Sequence, residues 1–185
     1  MTRPLRRDAA RNREKVLTAA AAVFTEQGLR GSLEEVARRA GVGIGTVYNH
    51  FPNRDALIDA LLPARVAALD ELAEASDAEP DPWQAFTGFV AHLLDRMIAD
   101  RGLLEAITGD HPAAEHLVEA CHRGMAQLSR LLERARDAGV LRGEVTDDDV
   151  IHLIWGLSLL GDAASPAAAN RCLVLALDGL RARRG

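Results

Sequence analysis

Apolar residues recur at helical spacing through almost the whole chain. Val16, Ala20, Val23 and Phe24 mark one face of a helix that starts at Asp8, and Gly28 is a natural stop. Ser32 caps a short helix ending at Ala40-Gly41, with Glu35 placed to close a capping box. A second short helix runs from about Gly43 to His50. Phe51-Pro52-Asn53 then opens a long helix through Leu57, Leu61, Val66, Leu69 and Leu72, which Pro63 kinks. After the Glu79-Pro80-Asp81-Pro82 linker come helices over Trp83–Arg101 and Leu103–Thr108. A long amphipathic helix spans His116–Ala138, with Leu117, Cys121, Met125, Leu128, Leu132 and Ala135 on one face and Gly139 at its end. Asp147-Asp148-Asp149 starts a helix to about Leu160, and Ser165-Pro166 opens the last, to Arg183. The total is about nine helices, with no strand and no repeat: an all-α chain.

Leu33 to Phe51 carries the most information. Two short helices that cross closely need a small residue where they touch, here Ala37. They need a residue tolerant of positive φ in the turn, here Gly41, and inward apolar positions, here Val36, Ala40, Val42 and Val47. This is the pattern of a DNA-binding helix-turn-helix. In its second helix Gly43 and Gly45 let backbone approach DNA closely, while Thr46, Tyr48, Asn49 and His50 offer polar groups. Ser32 and Arg38 on the first helix, and Arg54 at the head of the next, complete the candidate DNA-binding set. A packed corner in a protein-interaction module that has lost DNA binding is the rival reading.

Charge favours the first reading. The net charge is −5, but residues 1–55 carry ten Arg and Lys against six acids, and residues 56–185 carry twelve against twenty-one. One end is therefore suited to phosphate and the other is not. Residues 1–7 read as a flexible basic arm, 8–52 as the DNA-binding domain and 53–185 as a helical effector-binding and dimerisation domain. The basic start followed by Val16–Phe24 is a poor export signal because Glu14 interrupts it. The longest apolar run, Ile151–Gly161, is too short for a membrane span. With two cysteines, Cys121 and Cys172, and no disulfide framework, a cytoplasmic location is expected.

The run Ala40-Gly41-Val42-Gly43-Ile44-Gly45-Thr46-Val47-Tyr48-Asn49-His50-Phe51-Pro52-Asn53-Arg54-Asp55-Ala56-Leu57 resembles the signature of TetR-family transcriptional regulators. Ala19 to Gly28 resembles that family's first helix. The resemblance implies a three-helix reading head, a fourth helix leading to a larger helical domain, homodimerisation and an effector pocket. It carries contacts to phosphate or bases onto Thr46, Tyr48, His50 and Arg54. Gly43 departs from the serine the family often has there.

Three expectations concern the rest of the chain. Leu153, Leu157 and Leu160 of the helix from Asp147, with Leu173, Leu177 and Leu180 of the last helix, are the expected homodimer interface. Trp83, Phe86, Phe89, His92, Met97, Met125 and Trp155 are the candidate lining of a pocket for a small hydrophobic or aromatic effector. The partners expected are double-stranded operator DNA, a second copy and that effector. No metal is expected, because His111, Glu115, His116, Cys121 and His122 lack metal-ligand spacing, and no cofactor, membrane or catalytic role, because no nucleophile elbow, phosphate loop or carboxylate pair stands out.

Overall fold

The computed structural model describes residues 3–100 and 115–182. Nine helices lie among them: α1 (Arg3–Gln27), α2 (Leu33–Ala40), α3 (Ile44–His50), α4 (Arg54–Asp59), α5 (Leu62–Ala78), α6 (Pro82–Ala99), α7 (Glu115–Asp137), α8 (Asp147–Ala163) and α9 (Pro166–Leu180). The described residues contain no strand beyond one isolated bridge, between Leu141 and Arg181. The helix expected over Leu103–Thr108 lies outside the described residues. The count of nine is instead reached because the expected long fourth helix is two. Pro63 is the second residue of α5, where its missing N–H costs nothing, so it begins a helix rather than kinking one. At the N-terminus α1 begins at Arg3, inside the stretch expected to be a flexible arm. None of the described helices is long and apolar enough to cross a membrane.

The chain divides into two compact units, Met1–Val66 with Asp100–Val118, and Ala67–Ala99 with Glu119–Gly185. The division falls inside α5 rather than at the Pro52–Asn53 boundary expected from the sequence. In the first unit Val16, Ala20, Val23 and Phe24 of α1 are fully buried with Val36 of α2, Val47 of α3 and Leu57 of α4. Gly28 and Gly41, at φ 73° and 67°, end α1 and α2 in the left-handed region. Arg65 at the start of α5 makes a bidentate pair with Asp100, at 2.9 and 3.0 Å.

In the second unit one apolar core joins Phe86, Phe89, Val90 and Leu94 of α6 to Leu128, Leu131 and Leu132 of α7, Val150, Ile154 and Leu157 of α8, and Leu173 and Leu177 of α9. Thr146 and Asp149 form a capping box at α8, and Ser165 caps α9 with Pro166 in its first turn. Gly139, at φ 67°, follows α7. α8 approaches α6 so closely that a Cβ on Gly161 would sit 2.7 Å from the side chain of Ile98. α5 is held differently, by polar ties to α7. Arg123 pairs with Asp70 at 3.0 Å, the buried Gln127 donates to Ser76 and Asp77 at 2.7 and 2.8 Å, and Arg134 donates to the Glu79 carbonyl at 2.6 Å.

This core takes in part of the set expected at the interface. Leu157, Leu173 and Leu177 are 8%, 2% and 8% exposed, buried against their own subunit, and Leu153, Leu160 and Leu180 pack at its edge. The large apolar residues left open on the same two helices are Trp155 and Leu159 of α8 and Val174 and Leu175 of α9, from 48% to 72% exposed. Both faces of α8 are apolar, and the one that meets α6 is the one the sequence assigned to a partner.

Candidate nucleic-acid interface

Steric economy builds the corner between α2 and α3. The Gly41 N–H donates to the Arg38 carbonyl at 3.2 Å and the Val42 N–H to the Ala37 carbonyl at 3.1 Å, closing α2 and turning the chain. Ala37 is 4% exposed, small enough for the helices of this unit to meet over it. Val47 is the buried anchor of α3. The residues around it, Gly43, Ile44, Gly45, Tyr48 and Asn49, are all exposed. A Cβ built on Gly43 or Gly45 would meet nothing within 4 Å, so internal packing does not require either glycine. Their absent side chains instead leave the outer edge of α3 as nearly bare backbone beside Tyr48.

The other candidates fare differently. Thr46 and His50 are half-buried, and the His50 ring lies 6.4 Å from that of Phe51, tilted by 54°. Ser32 caps α2, accepting from the Glu34 and Glu35 N–H groups, while its hydroxyl donates to the Glu34 carboxylate at 2.6 Å. The expected capping box does not close, because arginines take the Glu35 carboxylate. Arg38 reaches it at 2.6 and 2.7 Å and Arg39 at 2.8 Å. Arg38 remains 71% exposed despite this pair. Arg54 is half-buried; one of its nitrogens, Nη1, donates to the Leu29 carbonyl at 2.9 Å and ties α4 to the loop before α2.

Two arginines missed in the sequence reading shape this unit. Arg39 also grips Glu26 at 2.7 and 2.8 Å, locking α2 to the end of α1. Arg13 stacks over Phe51, 5.2 Å from the ring centre. The spacing of Glu35 and Arg39 was visible in the sequence; the partner thirteen residues back was not. A groove of about 660 Å³ between α1 and α2 also brings Arg11, Lys15 and Arg39 together.

Donation from Arg38 and Arg39 lowers the Glu35 pKa from an ordinary 4.5 to about 2. A carboxylate depressed in the folded state stabilises that state above its ordinary pKa, and this contribution fades as pH falls toward the folded value. The melting temperature of the protein is therefore expected to drop between about pH 4.5 and 2, and a Glu35→Gln variant to show a shallower drop. Parallel pH profiles from calorimetry would remove Glu35 from this role.

In the second unit the facing sides of α5 and α6 leave a cleft of about 620 Å³. Of the seven candidate pocket residues only Phe89 and His92 line it. Trp83 and Phe86 are buried in the core and Met97 packs against it, while Met125 and Trp155 are 36% and 48% exposed. Aromatic size marked the core; the cavity arises where Ala68, Ala75, Ala85, Gly88 and Ala99 leave space unfilled. Of the residues weighed as metal ligands, His111 and the side chains of Glu115, His116 and Cys121 lie outside what the structure describes, and no metal-holding cluster occurs among the described residues.

Residues 16–61 match the family model for bacterial regulatory proteins of the tetR family, and residues 81–182 match that for the C-terminal domain of SbtR-like transcriptional regulators. The crystal structure of the TetR transcriptional regulator SCO0520 from Streptomyces coelicolor is similar at a TM-score of 0.65 and 32% identity, over 93% of this chain and 99% of that one. A TetR transcription regulatory protein from Mycobacterium vanbaalenii is similar at 0.62 and 35%, over 96% and 99%. The HTH-type transcriptional regulator TtgR of Pseudomonas putida is 31% identical over 103 residues, 54% of this chain, and the match spans about half of that relative's length, 49%. Helix order, corner geometry and both matched segments agree: this chain belongs to the TetR family of bacterial regulatory proteins.

Proposed function

We propose that the protein is a cytoplasmic transcriptional regulator, a repressor that binds double-stranded operator DNA as a homodimer and leaves it when a small effector binds. The observation that carries this reading is the outer edge of α3. Gly43, Ile44, Gly45, Tyr48 and Asn49 are exposed around the single buried anchor Val47, within residues 1–55, where ten basic residues stand against six acidic ones. A short helix with a bare, polar outer edge fits a major groove, and the surrounding cations fit phosphate. Arg38, 71% exposed beside Glu35, and Arg54, half-buried with one nitrogen on the Leu29 carbonyl, both lie in this unit as phosphate ligands.

Dimerisation is supported by the apolar strip of Trp155, Leu159, Val174 and Leu175, which a second copy would cover by two-fold symmetry. Effector control is supported by the cleft, whose volume lies in the usual range for small-molecule sites, about 300–1,000 Å³. One wall of that cleft is α5, the helix within which the chain passes from the first unit to the second. A ligand that favours one position of α5 would shift the population of DNA-competent protein.

Footprinting on the DNA flanking the gene, followed by gel shifts across a salt series, tests the reading. Two half-sites about one helical turn or a small multiple apart are expected. Tyr48→Ala and Asn49→Ala should each weaken binding about tenfold, and Arg38→Ala should flatten the salt dependence. Equal affinity for every duplex would overturn the assignment.

A further inference from the structure

From the chemistry of the cleft's walls, and resting on the reading of that cleft as the effector site, we infer that the effector is a lipophilic cation: a flat apolar body carrying an amine or other positive centre. The floor is apolar, made by Leu72, Ala75, Ala85 and the nearly buried Phe89, which suits a hydrophobic body. The rim is charged and unbalanced. Glu71 of α5, Glu79 just beyond its end and Asp95 of α6 line the cleft together with the single guanidinium of Arg96. Arg134 touches the backbone at Glu79 from α7 and offsets that end, leaving Glu71 and Asp95 against Arg96 at the other. Asp95 accepts from Asn170 at 2.8 Å through Oδ1, which leaves Oδ2 for a ligand.

His92 adds a second acceptor. Its Nδ1 lies 2.7 Å from the Gly88 carbonyl, which can only accept, so the neutral ring carries its proton on Nδ1 and offers the Nε2 lone pair. Residues 56–185, of which this unit forms the larger part, also carry nine more acids than bases, so the surrounding field draws cations toward the cleft. A polyanionic ligand such as an acyl-coenzyme A would need several donors for its phosphates, and this rim provides one guanidinium. The walls select by charge what the floor accepts by shape.

Two dyes built on one ring system separate charge from shape: rhodamine 6G, a cationic xanthene, and fluorescein, an anionic one. Fluorescence anisotropy with the full chain should give one rhodamine 6G site per chain and much weaker binding of fluorescein. Glu71→Gln and Asp95→Asn should each weaken rhodamine 6G about tenfold. Gly88→Leu should abolish its binding by filling the cleft; a Cβ at Gly88 meets nothing within 4 Å, so the fold tolerates the change, and a thermal melt verifies this. Rhodamine 6G binding that survives Gly88→Leu, ignores both carboxylate changes, or is no tighter than that of fluorescein overturns the cation assignment. So does the absence of binding. Dye-free gel shifts on the same preparations keep the operator reading separate: a dye result against the cation leaves it standing, and loss of operator binding does not bear on the dye.

Discussion

Leu175→Glu and Leu159→Arg are each expected to yield a folded monomer whose operator affinity is lower by at least about a hundredfold. Leu159 and Leu175 are 50% and 72% exposed on neighbouring helices, so within one subunit each tolerates a charge with little loss. In a two-fold interface the same charge is buried without a partner, twice over, and costs several kcal/mol. Operator affinity then falls because one reading head engages one half-site alone. Leu157→Arg and Leu177→Glu separate this interface from the core. Both residues are 8% exposed within the subunit's own apolar cluster, so these changes should unfold the second unit instead of giving a monomer. Sedimentation equilibrium and thermal melting distinguish the outcomes. A Leu175→Glu protein that stays dimeric moves the interface to another face.

The contrast between these pairs shows what a helical pattern conveys. Period alone identifies α8 as apolar on two sides, but which side faces inward depends on where α6 lies. That is settled by Gly161, whose missing side chain admits Ile98. Local signals transferred well where local chemistry decides. The glycines expected to stop three helices, Gly28, Gly41 and Gly139, are the positive-φ residues of the described chain, and the residues expected to open α4 and α9 include their caps, Asn53 and Ser165. Such signals failed where a tertiary partner outbid a local one. Glu35 has the spacing for a capping box with Ser32, yet two arginines claim its carboxylate, whereas Asp149 lacks such rivals and closes the box with Thr146. The Arg54 bond to the Leu29 carbonyl, twenty-five residues earlier, carries no local sign at all, because the two come within reach only once the chain has folded. The cleft was least legible of all. Cavities are set by residues too small to announce themselves, while Trp83 and Phe86, which stand out in the sequence, fill the core.

Three glycine substitutions are expected to separate folding from DNA reading in the first unit. Gly31→Ala should destabilise this unit by about 2 kcal/mol, in the range for overpacking a well-filled core. A Cβ there would stand 2.6 Å from Cγ1 of Val23, 3.2 Å from the Phe24 ring and 3.3 Å from the Gly28 carbonyl. Val23 and Phe24 are fully buried, so the valine has little room to turn aside, and the carbonyl is already bonded to the Gly31 N–H at 3.0 Å. Gly41→Ala should cost about 1 kcal/mol for a different reason: space is free around that residue, but its φ of 67° disfavours any side chain. Gly45→Ala should do neither. It lies inside α3 with open space around it, so alanine gains up to about 1 kcal/mol of helix propensity. Its methyl group nevertheless stands on the edge assigned to the major groove, where it holds the backbone away from the bases. The stability order is therefore Gly45→Ala above the parent, then Gly41→Ala, then Gly31→Ala. Operator affinity at a temperature where all four proteins are folded should instead single out Gly45→Ala as the weakest. Full operator affinity in a stabilised Gly45→Ala protein would show that DNA does not approach α3 along this edge.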